Sequence, residues 1–186
     1  MATINIFPIK WFGDRNAYMK SLVKIITVGL NPSDKEFREK DGEPYSSSLR
    51  FPDYKVGDDV SLENALNSYF MKNPYRKWFN AGFEPLLNGM NASFYSCDEF
   101  KNCAIHTDIC SPWATDPTWM HLPRNDREKL FEEGFQLWKD LVKELSPDII
   151  LFSIPNEYVE KLLIGGISEL CQISTTKDGK QRKSPI

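Results

Sequence analysis

An asparagine stands at position 31, in a stretch that reads V-G-L-N-P-S-D-K-E from Val28 to Glu36 and follows directly on an apolar run. Local geometry accounts for most of it. Gly29 permits a tight turn, Pro32 sets φ for a helix start, and Ser33 with Glu36 has the spacing of a capping box. Asn31 is left over. A side-chain amide beyond the end of a strand, beside free helix N–H groups, can hold a water molecule or an anion. His106 and Asp108 stand in H-T-D-I-C-S-P-W (106–113), and His121 in W-M-H-L-P-R-N. His106, inside an apolar run, reads as a satisfied strand residue. His121 reads as a loop residue within reach of a pocket. Cys97, Cys103, Cys110 and Cys171 include no C-x-x-C pair, so no metal site is expected, and Cys110 reads as a packing residue. A P-loop, a dinucleotide fingerprint and a G-x-S-x-G elbow are all missing from the sequence, so no cofactor is expected either.

Chemistry at these positions depends on the elements that hold them. Three short apolar runs rich in β-branched residues read as buried parallel strands: residues 24–30, 104–109 and 148–153. Residues 171–174 read as a fourth. Between them lies a strong helical pattern over 125–145, with Leu130, Phe131, Phe135, Trp138, Leu141, Val142 and Leu145 at spacings of three and four. Asn125 suits its N-cap, and Ser146-Pro147 stops it. Residues 61–71 and 75–88 are further helix candidates. Strand–helix alternation predicts a three-layer α/β/α sandwich around a mainly parallel four-stranded sheet in spatial order 2-1-3-4. No internal repeat interrupts the chain, which reads as one domain over 1–186. Ligands of such sheets bind beyond the carboxyl ends of the strands, which is where Asn31 stands.

The bulk composition narrows the classes. With 186 residues, 41% of them hydrophobic, the chain can bury a sizeable core. A formal net charge of −3 excludes a uniformly basic nucleic-acid binder, though not a local basic groove. No apolar run approaches the roughly 20 residues of a membrane span, and the first residues lack a signal-peptide pattern. The expectation is a cytoplasmic protein with reduced thiols and no membrane partner. The oligomeric state is not legible.

The G-L-N-P-S motif (29–33) resembles the first motif of the uracil-DNA glycosylase superfamily, in its mismatch-specific and single-strand-selective branches. R-F-P-D-Y (50–54) and N-P-Y-R-K-W-F (73–79) look like the loop and helix that follow that motif. H-T-D-I-C-S-P-W resembles the strand that carries a base-reading asparagine, and S-P-D-I-I-L-F-S-I-P (146–155) the strand after it. The resemblance spans about residues 24–155. It implies the sandwich described above and hydrolysis of the N-glycosidic bond of uracil or another modified base in DNA, including single-stranded DNA. The alternative is a catalytically inactive member that binds a nucleotide, a nucleic acid or a protein.

Carried over by position, the resemblance makes Asn31 the holder of the attacking water, with Gly29 and Leu30 at the substrate. It makes Phe51, or else Tyr54, the ring stacked on an extruded base. Asp108 stands where the family has the base-reading asparagine. An amide accepts from uracil N3–H and donates to O4, whereas an ionised aspartate only accepts. A base with an exocyclic amine would suit the ionised form, and a buried, protonated aspartate could itself donate. Ser33 and the basic tail residues Lys177, Lys180, Arg182 and Lys183 are candidate DNA contacts. The family's last motif carries a histidine. None follows residue 121 here, and Ser184-Pro185 echoes only part of that motif.

Overall fold

The computed structural model describes residues 3–95, 97–162, 170–175 and 181–185. By packing, the chain falls into two compact units, Met1–Ser153 and Ile154–Ile186. The helices of the first unit are α1 (Arg15–Lys20), α2 (Asp59–Asn67), α3 (Arg76–Gly82), α4 (Glu84–Gly89) and α5 (Arg124–Leu145). Its strands are β1 (Ile25–Gly29), the two-residue β2 (Ala92–Ser93) and β3 (Asn102–Cys103), β4 (Ile105–Asp108) and β5 (Ile149–Phe152). The second unit contributes α6 (Asn156–Leu162), β6 (Leu170–Thr175) and β7 (Gln181–Pro185).

The central sheet is parallel and has three strands in the order β4-β1-β5. Gly29 pairs with Asp108, and Val28 with both Thr107 and Phe152. All five residues of β1 and all four of β4 are buried, as expected of strands covered on both sides. The order of the first three strands matches the sequence reading, but among the described residues the central sheet has three strands and not the four expected. The predicted fourth strand, 171–174, lies in β6, and β6 pairs antiparallel with β7 in a ribbon of its own. Its partner is near in sequence, so the pairing closes only a short loop, at little entropic cost.

β4 is flanked on its other edge by the N-terminal segment, where Phe12 and His106 exchange backbone hydrogen bonds of 2.8 and 3.0 Å. Successive strand residues point to opposite faces. Thr107 accepts from the Trp138 indole of α5 at 3.1 Å, while His106 points into rings of Phe12, Trp78, Phe79 and Phe83. The plentiful aromatics thus line the sheet on the side of α3 and continue through Tyr69, Phe70 and Phe94.

Helix boundaries moved where capping was misread. α5 begins at Arg124 with Pro123 as its N-cap, so Asn125 lies within the first turn. Ser146 ends it in a left-handed conformation, as Ser146-Pro147 suggested. The 61–71 helix is α2 followed by a separate 3₁₀ turn at 69–71, and 75–88 is split into α3 and α4. Cys97 and Cys103 are joined in a disulfide, against the expectation of reduced thiols, while Cys110 is buried.

α5 approaches the end of β4 at Gly134. A Cβ there would run into the Cys110 carbonyl and the Ser111 backbone. Neither can rotate away, so Gly134→Ala should destabilise the protein by about 1–3 kcal/mol, the usual cost of overpacking, read as a lowered midpoint in urea unfolding. An unchanged midpoint would mean that α5 is free to shift.

Candidate functional site

Beyond Gly29 the chain leaves the sheet, and beyond Asp108 so does its neighbour, yet the two loops remain paired. Ile109 N donates to Gly29 O at 3.0 Å, Cys110 N to Leu30 O at 2.8 Å, and Thr115 N to Pro32 O at 3.3 Å. This zipper brings the stretch that follows β1 and the stretch that follows β4 to one place. A cavity of about 260 Å³ opens beside it. Asn31, Glu36, His106, Asp108 and Ser153 supply polar groups, and Phe12, Tyr75, Trp78, Phe79, Trp119 and Met120 supply apolar walls. That volume sits just below the ~300 Å³ lower end of small-molecule pockets, room for one flat ring system rather than a dinucleotide.

Asn31 is held through its amide nitrogen, which donates to Pro32 O at 2.8 Å, Thr115 Oγ1 at 2.9 Å and Trp113 O at 3.4 Å. Two of these partners are carbonyls, which orient the amide with its nitrogen toward the loop. The Asn31 oxygen accepts no hydrogen bond among the described residues, which leaves an acceptor for a water or a ligand.

Asp108 and His106 stand side by side at the end of β4, with Oδ1 3.4 Å from Nε2 and both side chains at least 96% buried. His106 Nδ1 is 2.7 Å from the Thr27 hydroxyl. Asp108 accepts no hydrogen bond among the described residues, and a buried carboxylate without donors is costly. Gly29 makes room for the pair. A Cβ at 29 would lie 2.7 Å from Asp108 Oδ1 and 3.1 Å from His106 Nε2. The glycine that reads as a turn residue is required by close approach instead.

Glu36 is the site residue that the sequence concealed. Ser33 caps a 3₁₀ turn through Lys35 N at 3.2 Å, but Glu36 does not reach back to complete the capping box. Its carboxylate turns inward and accepts from the Tyr69 hydroxyl at 2.7 Å, with Arg50 Nε 4.0 Å away. Burial pushes the Glu36 pKa up from 4.5 to about 7. The Tyr69 hydrogen bond and Arg50 pull it back, and the Asp108 charge pushes it further up. Burial and then Glu36 raise Tyr69 well above the usual phenol range, so the hydroxyl remains the donor. The only sequence-level hint of a site at Glu36 was its place seven residues after Gly29.

Gly29, Leu30, Asn31, Ser33 and Asp108 all line the one cavity. The stacking rings were misplaced. Phe51 is wholly buried against Phe7 and Tyr69, and Tyr54 packs on Phe7 at 4.5 Å, so neither lines the cavity. The R-F-P-D-Y stretch folds into the aromatic core, and Tyr75, Trp78 and Phe79 from the next motif form the walls. His121 bonds Thr118 at 3.0 Å and stays out of the lining, whereas His106 belongs to it. Lys177 and Lys180 lie outside the described residues, as do the side chains of Arg182 and Lys183 in β7. Among the described residues no group of three His, Cys, Asp or Glu side chains is arranged to hold a metal ion, and no helix is long and apolar enough to cross a membrane. No protein-family model matches the chain, and neither a curated protein nor a solved structure matches it.

The raised Glu36 pKa gives a signed prediction. The folded state holds this proton more tightly than the unfolded one, so the associated stability is fully present below pH 4.5 and lost as pH rises through about 7. Glu36→Gln keeps an acceptor for Tyr69 and never ionises. The variant should therefore gain on the wild type by about 2–3 kcal/mol between pH 5 and pH 8, read from urea unfolding at both pH values. A difference independent of pH would mean that Glu36 titrates normally.

Proposed function

We propose that the protein hydrolyses an N-glycosidic bond of a nucleobase extruded from DNA, in the manner of the uracil-DNA glycosylase superfamily that its G-L-N-P-S motif resembles. The observation that carries this reading is the Asn31 amide, pinned by its nitrogen with its oxygen free, in an aromatic-walled cavity that also contains Asp108. Flat apolar walls suit a nucleobase. A neutral amide is a poor base, and its contribution is orientation: the free oxygen accepts from a water and aims it at the sugar C1′. A bond forms from water to C1′, the C1′–N bond breaks, and its electron pair leaves on the base nitrogen. The water's proton passes to Glu36, which titrates near neutrality in the same cavity. Asp108 reads the base edge.

A second cavity of about 590 Å³ shares Tyr75, Trp78 and Ser153 with the first and includes Lys77. Trp78 is 39% exposed there. An exposed ring beside a base-sized cavity supports a stretch of single-stranded DNA as the substrate, with a neighbouring base stacked on Trp78.

The test is base release from single- and double-stranded DNA carrying uracil, hypoxanthine, an oxidised guanine or another modified base. Asn31→Ala should lower the rate of release on the order of 100-fold or more while leaving base binding nearly unchanged, because Asn31 positions water rather than the base. If the wild type binds bases and releases none from any substrate, the protein is a binding member and the hydrolytic reading falls.

A further inference from the structure

Within the nucleobase reading of this cavity, the polar groups differ from those a uracil requires. Uracil presents one N–H flanked by two carbonyls, so its partner must both donate and accept. Here the Asp108 side chain is 96% buried and lines the cavity, with the His106 ring 3.4 Å from Oδ1 as its one polar neighbour among the described residues. A carboxylate is satisfied by two parallel N–H groups, and such bidentate pairs are among the stronger neutral-edge contacts. Beside it stands a donor. An Nε2 lone pair facing Asp108 Oδ1 at 3.4 Å would be repulsive, so the proton sits on Nε2 and the Thr27 hydroxyl donates to Nδ1 at 2.7 Å. The edge of the cavity therefore reads acceptor, acceptor, donor. Gly29 keeps that edge open, since any side chain there would press on both residues.

We propose that the cavity selects a purine with a 2-amino-6-oxo edge, with Asp108 accepting from N1–H and the 2-amino group while the His106 Nε2–H, shared with Asp108 Oδ1, donates to O6. Guanine bears this edge, and so do oxidised or alkylated guanines that retain it. Hypoxanthine keeps N1–H and O6 but lacks the amine, which leaves one carboxylate oxygen unpaired. Uracil offers Asp108 a single donor and sets a carbonyl against it. Asp108 and His106 act as specificity residues, and Asn31 retains its separate task with water.

Isothermal titration of the wild-type protein with 2′-deoxyguanosine, 2′-deoxyinosine and 2′-deoxyuridine tests the assignment without requiring any bond to be cut. Deoxyguanosine should bind roughly five- to hundred-fold more tightly than deoxyinosine, the usual effect of leaving a buried polar atom unpaired, and deoxyuridine should bind more weakly still. Asp108→Asn, with its fold checked by circular dichroism, should reverse the order by losing deoxyguanosine and gaining deoxyuridine. Equal affinity for deoxyguanosine and deoxyinosine, tighter binding of deoxyuridine by the wild type, or no binding of any of the three would overturn the proposal. The wild-type comparison of deoxyguanosine with deoxyinosine decides by itself if the variant does not fold. Guanine-selective binding without release of any base from DNA would remove the hydrolytic reading and leave this one standing. Uracil release without guanine selectivity would do the reverse.

Discussion

The paired loops beyond β1 and β4 are the constraint on which the site depends. Three backbone hydrogen bonds, from Ile109, Cys110 and Thr115 to the carbonyls of Gly29, Leu30 and Pro32, continue the strand pairing past the end of the sheet. Backbone donors and acceptors leaving a buried strand need partners, and here each loop satisfies the other. Asn31 is fastened by the same stretch of chain, through Thr115 and the carbonyls of Pro32 and Trp113. A side chain held by three partners gives up little further freedom when it engages a ligand, which is the physical content of preorganisation. Its free oxygen is a consequence of that fastening.

The packing around β4 divides the work between its two faces. Thr107 ties the strand to α5 through Trp138, and α5 is brought close by the absence of a side chain at Gly134. His106 and Asp108 face the other way, into the aromatic layer and the cavity. A rigid helix contact behind the strand and rings in front of it leave the two polar residues few alternative positions. Their proximity depends on Gly29 in β1, which has no Cβ to part them. Glu36 comes from a 3₁₀ turn rather than a strand, and is positioned by Tyr69 from a segment 33 residues further along. Two carboxyl groups and one imidazole thus reach one small volume from two separate segments, and there their charges are felt strongly. The raised Glu36 pKa follows from burial first, with a smaller push from the Asp108 charge.

Local signals were legible in the sequence wherever they were strong. The three runs were recognisable as parallel strands by their β-branched, nearly continuous apolar character, but only β1 and β4 are buried, and β5, expected to be covered on both faces, is half-buried and exposed at Phe152. Asn31 stood out because it follows a strand in that topology, the place where α/β sheets bind ligands, whereas Asp108, the last residue of β4, was singled out only by the resemblance of its motif. The long helix was readable from its spacing of apolar residues, within a residue of its true start.

Tertiary structure alone decided the rest, because those outcomes depend on partners distant along the chain. Phe51 and Tyr54 were as aromatic and as near the motif as Tyr75 and Trp78, and only packing sent the first pair into the core and the second to the cavity. Glu36 carried the signature of a capping box, and the nearness of Tyr69 turned it inward. The run at 171–174 has strand character by itself, but whether a strand extends a central sheet or pairs with its neighbour is a competition between partners, which composition does not encode. His106 looked like an ordinary strand residue because a histidine within an apolar run gives no sign of what faces it. Asp108 beside it, and the missing side chain of Gly29 opposite, give it a place in the site.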